Sequence, residues 1–125
     1  MLVYFAYSSR DYSRAVQLYE DLYPKLKNWN IDVHFPQIGE GLICDACSDL
    51  ENVKYSDLIV CYFPSATIGG AMELMYFKLN HPTRPALGFK CMEHPFLNYF
   101  LDQNFQRIQD IIDFIVCYYR NLKAV

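Results

Sequence analysis

Short apolar runs alternate along the chain with longer segments in which apolar residues recur every three or four positions. The run at residues 58–63 is apolar throughout and rich in β-branched and aromatic residues, as expected of a strand buried on both faces. Similar runs predict strands at residues 2–7, 31–35 and 86–90, and residues 104–107 as a short fifth strand.

The segments between these runs predict helices. The first begins at Asp11 or Ser13 and reaches about Trp29, with Pro24 expected to kink or split it. Others are predicted at residues 42–54, from residue 70 or 71 to 79, and at residues 108–122. Strands that alternate with helices predict one α/β domain over residues 1–125. It should be a doubly wound, Rossmann-like or flavodoxin-like fold with a four- or five-stranded, mostly parallel sheet.

Composition and charge narrow the class of protein. With 53% apolar and 20% charged residues, the chain is typical of a globular domain. The formal charge of −3 offers no basic surface, so we expect no nucleic-acid polymer as partner. No apolar run approaches the roughly 18 residues of a membrane span, and no signal-peptide pattern follows Met1. We therefore expect a cytoplasmic protein without a membrane partner.

Cysteines and histidines do not predict a metal site. The five cysteines are scattered, as is common for reduced thiols. Cys44 and Cys47 have the C-x-x-C spacing, but a zinc site usually needs a second close pair, and His34, His81 and His94 are isolated in sequence. We expect neither a metal nor an organic cofactor.

A candidate for chemistry follows the central strand. Pro64 ends the apolar run, a loop with hydroxyl groups leads to Gly69 and Gly70, and Glu73 is predicted in the first turn of the next helix. In an open α/β sheet, this position lies in the crevice where ligands bind. A glutamate in a first helical turn also interacts favourably with the helix dipole, so the position alone is compatible with a structural role.

A family resemblance strengthens the functional interpretation. The sequence GGAMEL, which ends at Leu74, resembles the G-x-x-x-E-[LI]-G-x-A signature of the nucleoside 2-deoxyribosyltransferases and the related nucleoside 5'-monophosphate N-glycosidases. Met75 and Phe77 stand where the signature has small residues. The resemblance implies that Glu73 is the nucleophile, and that Gly69 and Gly70 allow the substrate to approach closely.

The amino-terminal sequence VYFAYSSR resembles the [VI]-Y-[FL]-x-G-S-x-R stretch of the N-glycosidase branch, with Tyr7 in place of glycine. The resemblance implies that Tyr4 lies near the deoxyribose and that Ser8 and Arg10 hold the 5'-phosphate. The residues themselves also favour an anion site, because the hydroxyls of Ser8 and Ser9 and the Arg10 guanidinium precede a helix amino terminus.

Four further polar residues fit the same resemblance. Asp49 begins a D-L-x-x-[IVL]-x-x-[SAT]-D pattern and precedes Glu73 by 73 − 49 = 24 residues, which implies that it faces the active centre. Asp57, which ends the pattern, is expected to be structural. Thr67 falls where the monophosphate hydrolases have a phosphate-contacting serine and the deoxyribosyltransferases have an aspartate that reads the base. Asn98 corresponds to a residue that reaches into the neighbouring subunit's site.

The resemblance implies an enzyme that acts on a small nucleoside or nucleotide. It would cleave the N-glycosidic bond of 2'-deoxynucleoside 5'-monophosphates or deoxynucleosides through a covalent deoxyribosyl–Glu73 intermediate resolved by water, with Asp49 as the acid. Transfer of the deoxyribose to a second base is one alternative. A non-catalytic nucleotide-binding module is another. The aromatic content of 17% and the match at Asn98 predict a homodimer or higher homo-oligomer.

Overall fold

The computed structural model describes residues 1–36 and 43–124, apart from the side chains of residues 43–47. It contains a five-stranded sheet in which each pair of neighbouring strands is parallel, in the order β2-β1-β3-β4-β5. The strands are β1 (Leu2–Tyr7), β2 (Asp32–His34), β3 (Leu58–Tyr62), β4 (Ala86–Phe89) and β5 (Gln103–Phe105). This is the flavodoxin-like order, so the predicted doubly wound α/β fold and its fifth strand are confirmed.

The described residues form five α-helices, of which four connect successive strands and the fifth follows β5. They are α1 (Tyr12–Lys27), preceded by a short 3-10 turn (Ser9–Asp11), then α2 (Ile43–Tyr55), α3 (Ile68–Asn80), α4 (Pro95–Phe100) and α5 (Ile108–Lys123). Because α1 runs through Pro24 as one element, the expected split is wrong, and a kink at the proline stays a prediction. Leu22 and Leu26, on either side of the proline, are fully buried, and their packing outweighs the one backbone hydrogen bond that proline removes.

The helices form one layer on each face of the sheet. Alternate residues of β1 show the division: Val3 and Phe5 pack with α1 and α5, while Tyr4 and Ala6 pack with α2, α3 and α4. Tyr4 is therefore directed to the side of the sheet that carries α3. In the part of the chain described above, no helix combines the length and apolarity needed to cross a membrane.

Asp57 has the structural role that the sequence predicted. Its Oδ2 accepts a hydrogen bond of 2.9 Å from the Leu2 backbone nitrogen. The contact ties the start of β1 to the residue before β3, and so helps to set the register of the two central strands.

Candidate active site

The carboxyl ends of β1 and β3 lie side by side where the strand order reverses. The pairing of Tyr7 with Tyr62 brings both strands to the same level. The loops that follow are in contact, since the Ser65 hydroxyl donates to Asp11 Oδ2 over 3.2 Å. These two loops therefore converge. In doubly wound sheets, such a reversal forms the ligand crevice.

Glu73 lies in the second turn of α3, so its predicted place in the first turn is wrong. The helix begins at Ile68 because Thr67 caps it: its Oγ1 accepts from the Gly70 backbone nitrogen over 3.3 Å. Attraction between a carboxylate and a helix dipole falls off within the first turn. Interaction with the helix dipole therefore does not explain why a glutamate stands at position 73.

Glu73 is partly buried, with its Oε2 inaccessible, and lies beside Tyr4 and near Asp49. Burial raises the pKa of Glu73 to about 7, an effect that the Tyr4 hydroxyl opposes and the charge of Asp49 reinforces. Burial and the same glutamate raise the pKa of Tyr4 far above its usual value. Tyr4 Oη and Glu73 Oε2 are both inaccessible, and neither finds a partner in full hydrogen-bond geometry among the described residues. Each such atom costs about 1–3 kcal/mol, so a pair of them indicates a functional site.

His34 joins this group, and the sequence did not predict it. The register of β1 and β2 places His34 opposite Tyr4, and the two rings stack with centroids 5.3 Å apart. His34 Nε2 lies 3.4 Å from Asp49 Oδ1. The histidine appeared isolated because its neighbours come from β1 and α2, and only strand pairing brings them together. Tyr4, His34, Asp49 and Glu73 thus meet from four different elements. Because the sequence predicts catalytic roles for Tyr4, Asp49 and Glu73, we call the four residues the catalytic group.

The loop after β1 is organised by its own hydrogen bonds. Ser8 is almost fully buried, and its hydroxyl accepts from the Arg10 backbone nitrogen over 3.3 Å. Ser9 and Arg10 are exposed, and Arg10 takes part in none of the ion pairs of the described residues. The loop therefore carries an exposed arginine, while the Ser8 hydroxyl faces its own backbone.

Tyr7 replaces the expected glycine without entering the crevice. Its ring packs with the core on the α1 side and stacks on Phe35, with centroids 4.7 Å apart and planes 12° apart. Its hydroxyl donates to the Pro36 carbonyl oxygen. Burial, reinforced by Tyr12 and the site carboxylates, raises the pKa of Tyr7 to about 12. The larger side chain thus links the ends of β1 and β2.

The two glycines of α3 have different surroundings. A Cβ on Gly70 would lie 2.4 Å from the Phe63 ring, so this glycine allows the helix to pack on the end of β3. A Cβ on Gly69 would meet nothing within 4 Å. Open space at Gly69 is compatible with the predicted approach of a substrate, whereas the contact at Gly70 is with the protein itself.

Asn98 lies on α4, away from the catalytic group. Its side chain is exposed, and Nδ2 donates to Glu93 Oε2 over 3.2 Å. A role in a neighbouring subunit's site stays a prediction. Among the side chains that the structure describes, no three histidine, cysteine, aspartate or glutamate residues form a cluster suited to a metal. The side chains of Cys44 and Cys47 lie outside the described residues.

No protein family and no curated protein matches this chain by sequence. Solved structures do match. A 2-deoxyribosyltransferase from Bacillus psychrosaccharolyticus has a TM-score of 0.69 at 16% identity, with 90% of each chain covered. A 2-deoxyribosyltransferase from Leishmania mexicana has a TM-score of 0.65 at 15% identity, covering 92% of this chain and 96% of the other. The CMP N-glycosidase BcmB from Clostridium botulinum has a TM-score of 0.62 at 14% identity, covering 92% and 98%. The resemblance seen in the sequence is confirmed as a shared fold.

Proposed function

We propose that this protein is a cytoplasmic enzyme that cleaves the N-glycosidic bond of 2'-deoxynucleosides or their 5'-monophosphates. The observation that carries the proposal is the catalytic group, in which an inaccessible Glu73 oxygen, without a hydrogen-bond partner among the described residues, lies beside Tyr4 and near Asp49. The fold is shared with enzymes named for deoxyribosyl transfer and for CMP N-glycosidase activity, which supports the same class of reaction here.

The proposed reaction uses the two carboxyl groups in turn. Ionised Glu73 attacks C1' as the bond from C1' to the base nitrogen breaks, and Asp49 gives its proton to the leaving base. A C1'–O bond to Glu73 replaces the glycosidic bond. Water then attacks C1', Asp49 takes up a proton from that water, and Glu73 leaves as a carboxylate. The atoms balance without a metal or an organic cofactor.

Tyr4 and His34 would position the two carboxyl groups. The Tyr4 hydroxyl lies close enough to lower the pKa of Glu73, so it favours the ionised form that a nucleophile requires. His34 stacks on Tyr4 and lies beside Asp49, with side chains of both His34 and Asp49 29% exposed. Asp49 is thus placed at the open side of the group, where a departing base could receive a proton and leave.

A 5'-phosphate would lie at the converged loops. Arg10 supplies an exposed guanidinium at that edge, and a charge-assisted contact to phosphate contributes roughly 1.5–3 kcal/mol. The Asp11 carboxylate, held by Ser65, opposes an anion nearby. Preference for the monophosphate therefore depends on Arg10, and a free 5'-hydroxyl would need no such cation.

Two other outcomes share the same site. If a second base attacks the deoxyribosyl–Glu73 intermediate instead of water, the enzyme is a deoxyribosyltransferase, the activity for which two of the structural neighbours are named. If the site binds nucleotides without turnover, it is a non-catalytic module. The unpaired Glu73 oxygen favours a reaction over binding alone, because buried polar atoms in a purely structural site are normally paired.

The proposal is tested by incubating the protein with each deoxynucleoside and each 5'-monophosphate, with and without a second free base, and separating the bases by chromatography. Release of a base without acceptor indicates hydrolysis, and exchange that requires the acceptor indicates transfer. Mass spectrometry of acid-quenched protein should show a deoxyribosyl adduct on the peptide that contains Glu73. Glu73→Gln is the matched control. Base release at an unchanged rate in this variant would refute the assignment.

We also propose that the protein acts as a homo-oligomer. Four apolar side chains on α3 are exposed at spacings that place them on one face of the helix: Ile68 (83%), Met72 (58%), Met75 (38%) and Leu79 (68%). A contiguous apolar face of this kind suits a second copy of the chain. Because α3 also carries Glu73, the second copy would lie beside the site, where its Asn98 could contribute.

A further inference from the structure

A groove of about 420 Å³ lies on the face of the sheet opposite the catalytic group. One wall is helix α1, whose contributing residues are three or four positions apart and so share one face of the helix. The floor is formed by the last residues of β3 and β4. The wall residues are Arg14, Gln17, Leu18 and Asp21, and the floor residues are Tyr62 and Phe89. We call this the α1 groove. None of its residues has a part in the proposed reaction.

Lys90 borders the α1 groove in a backbone conformation that lysine rarely adopts. Its φ is 48°, in the left-handed region where glycine and asparagine are the usual residues. The fold uses this turn, because the Lys90 backbone nitrogen donates to the Phe105 carbonyl oxygen over 2.8 Å. The side chain is exposed, and its Nζ lies 5.5 Å from the centre of the Phe89 ring on the groove floor. The turn alone would favour glycine, so the lysine side chain needs a different explanation.

Arg14 supplies a second cation at an unfavourable position. It is the third residue of α1, in a first turn that has no acidic residue, where the helix dipole repels a positive charge. Neither Arg14 nor Lys90 belongs to any ion pair of the described residues. Both line the α1 groove, so an anionic group bound there would give each of them a charge-assisted contact.

The rest of the groove suits a planar polar group. Asp21 follows Arg14 by 21 − 14 = 7 residues, which is about 10 Å along the helix axis, so the wall has a positive end and a negative end. The Asp21 carboxylate accepts hydrogen bonds, while the Gln17 amide can donate and accept. Tyr62 and Phe89 form the floor with ring centroids 6.2 Å apart. A nucleobase has a flat face for such a floor and N–H groups on its edge for the carboxylate.

We propose that the α1 groove binds a nucleoside 5'-monophosphate as a second, non-catalytic site. The phosphate lies with Arg14 and Lys90, and the base extends along α1 so that its exocyclic amino group donates to Asp21. A mononucleotide matches the sign of the charge at each end of the groove and has its phosphate and its base edge at opposite ends. The inference goes beyond the proposed function and does not depend on it, since no residue of the α1 groove belongs to the catalytic group.

The test uses nuclear magnetic resonance of the isotope-labelled chain with the Glu73→Gln substitution, so that no ligand is consumed during the measurement. Backbone amide signals are followed during titration with adenosine 5'-monophosphate (AMP), with adenosine and with ribose 5-phosphate. AMP should shift the signals of residues 14–21, 62 and 89–90 in a saturable way. Adenosine and ribose 5-phosphate should each bind about tenfold more weakly or worse, because adenosine lacks the phosphate contacts and ribose 5-phosphate lacks those of the base.

Two substitutions remove the cations. Lys90→Gly and Arg14→Gln should each weaken AMP binding about tenfold or more, since each removes a charge-assisted contact. Lys25→Gln is the matched control, because it removes the same charge from an exposed position of α1 outside the groove and should leave the affinity unchanged. Lys90→Gly should also keep the urea midpoint of unfolding unchanged or raise it, because relief of backbone strain offsets the freedom that glycine gains in the unfolded chain. A lysine that served only the fold would give a lower midpoint.

Four results would overturn the second site. Shifts confined to the surroundings of Tyr4, His34 and Asp49 would place AMP in the catalytic group alone. Equal affinity for AMP and ribose 5-phosphate would indicate an anion site without a base contact, and equal affinity for AMP and adenosine would exclude a role for the two cations. An equal loss of affinity in Lys25→Gln would reduce the effect to overall charge. None of these results bears on turnover by the wild-type protein, so the second site and the proposed function can fail separately.

Discussion

The pH dependence of the reaction should report the ionisation of Glu73 directly. A nucleophilic carboxylate must be ionised, and burial raises the pKa of Glu73 to about 7. For a substrate whose base leaves without a proton from Asp49, we therefore expect kcat/KM to rise with pH and to level off above about pH 7. Below the pKa, the ionised fraction falls about tenfold for each pH unit, so the rate at pH 5 should be roughly one hundredth of the plateau.

Two variants should move this profile in opposite directions. The Tyr4 hydroxyl lowers the pKa of Glu73, so Tyr4→Phe should shift the rising limb to higher pH. The charge of Asp49 raises the same pKa, so Asp49→Asn should shift the limb to lower pH. General destabilisation of the site would not produce shifts of opposite sign.

The assay is the initial rate of base release between pH 4.5 and 9 at constant ionic strength. An N7-methylated purine deoxynucleoside is the substrate here, because its base leaves as a neutral molecule without a proton from Asp49 and because it carries no phosphate that titrates near pH 6. The plateau must be checked against folded protein by circular dichroism at each pH. A kcat/KM that falls as pH rises through 7 would refute the reasoning, because Glu73 would then act as the proton donor and another group as the nucleophile.

Four shorter predictions follow from the same contacts. Glu73→Gln should abolish turnover and yet raise the free energy of unfolding at pH 8 by up to about 3 kcal/mol, with no such increase at pH 4. The reason is that a carboxyl group with a raised pKa destabilises the fold as pH rises from about 4.5 to 7. Urea titrations at both pH values measure the difference. Arg10→Ala should remove about 10- to 150-fold from the kcat/KM of a 5'-monophosphate and little from that of the nucleoside, and an equal loss for both would reject the phosphate contact. Met72→Glu should convert the oligomer to a monomer, because it would bury an unpaired charge in the interface, whereas Met72→Leu should not. Light scattering at micromolar concentration measures the mass. A wild-type monomer with full activity would contradict the interface. Gly70→Ala should lower the free energy of unfolding by about 1–3 kcal/mol, because its Cβ would lie 2.4 Å from the Phe63 ring. Gly69→Ala should not lower it, since its Cβ would meet nothing within 4 Å. Equal effects of the two substitutions in urea titrations would contradict this packing.

The sheet could be predicted from sequence because its signal is local. β3 is buried along its whole length and therefore reads as an unbroken apolar run. The start of α3 was predicted two or three residues late, because Gly69 and Gly70 suggest a loop when considered alone. The family resemblance relates Thr67 to a phosphate contact, but its spacing from Gly70 is also that of a residue that caps a helix. The cap determines where α3 begins, so the late predicted start placed Glu73 in the first turn of the helix and not in the second.

The catalytic group was only partly predictable for a different reason. Tyr4, Asp49 and Glu73 belong to motifs that the sequence displays, whereas His34 depends on the pairing of β1 with β2. The cavity between the amino end of α3 and helix α4 is likewise lined by residues from the end of β3, from α3 and from α4. Strand order and helix packing decide such neighbours, and no periodic pattern within one segment contains them.

The raised pKa of Glu73 is compatible with a nucleophile because of where charge develops in the reaction. In the free protein, an ionised Glu73 is desolvated and repelled by Asp49, and the Tyr4 hydroxyl compensates only in part. Cleavage of a glycosidic bond places positive charge at C1', which supplies the partner that the buried oxygen lacks. The carboxylate is therefore stabilised more in the transition state than in the free protein, and that difference is what accelerates a reaction. Burial beside β1, which makes Glu73 costly to ionise, would thus also make it an effective nucleophile.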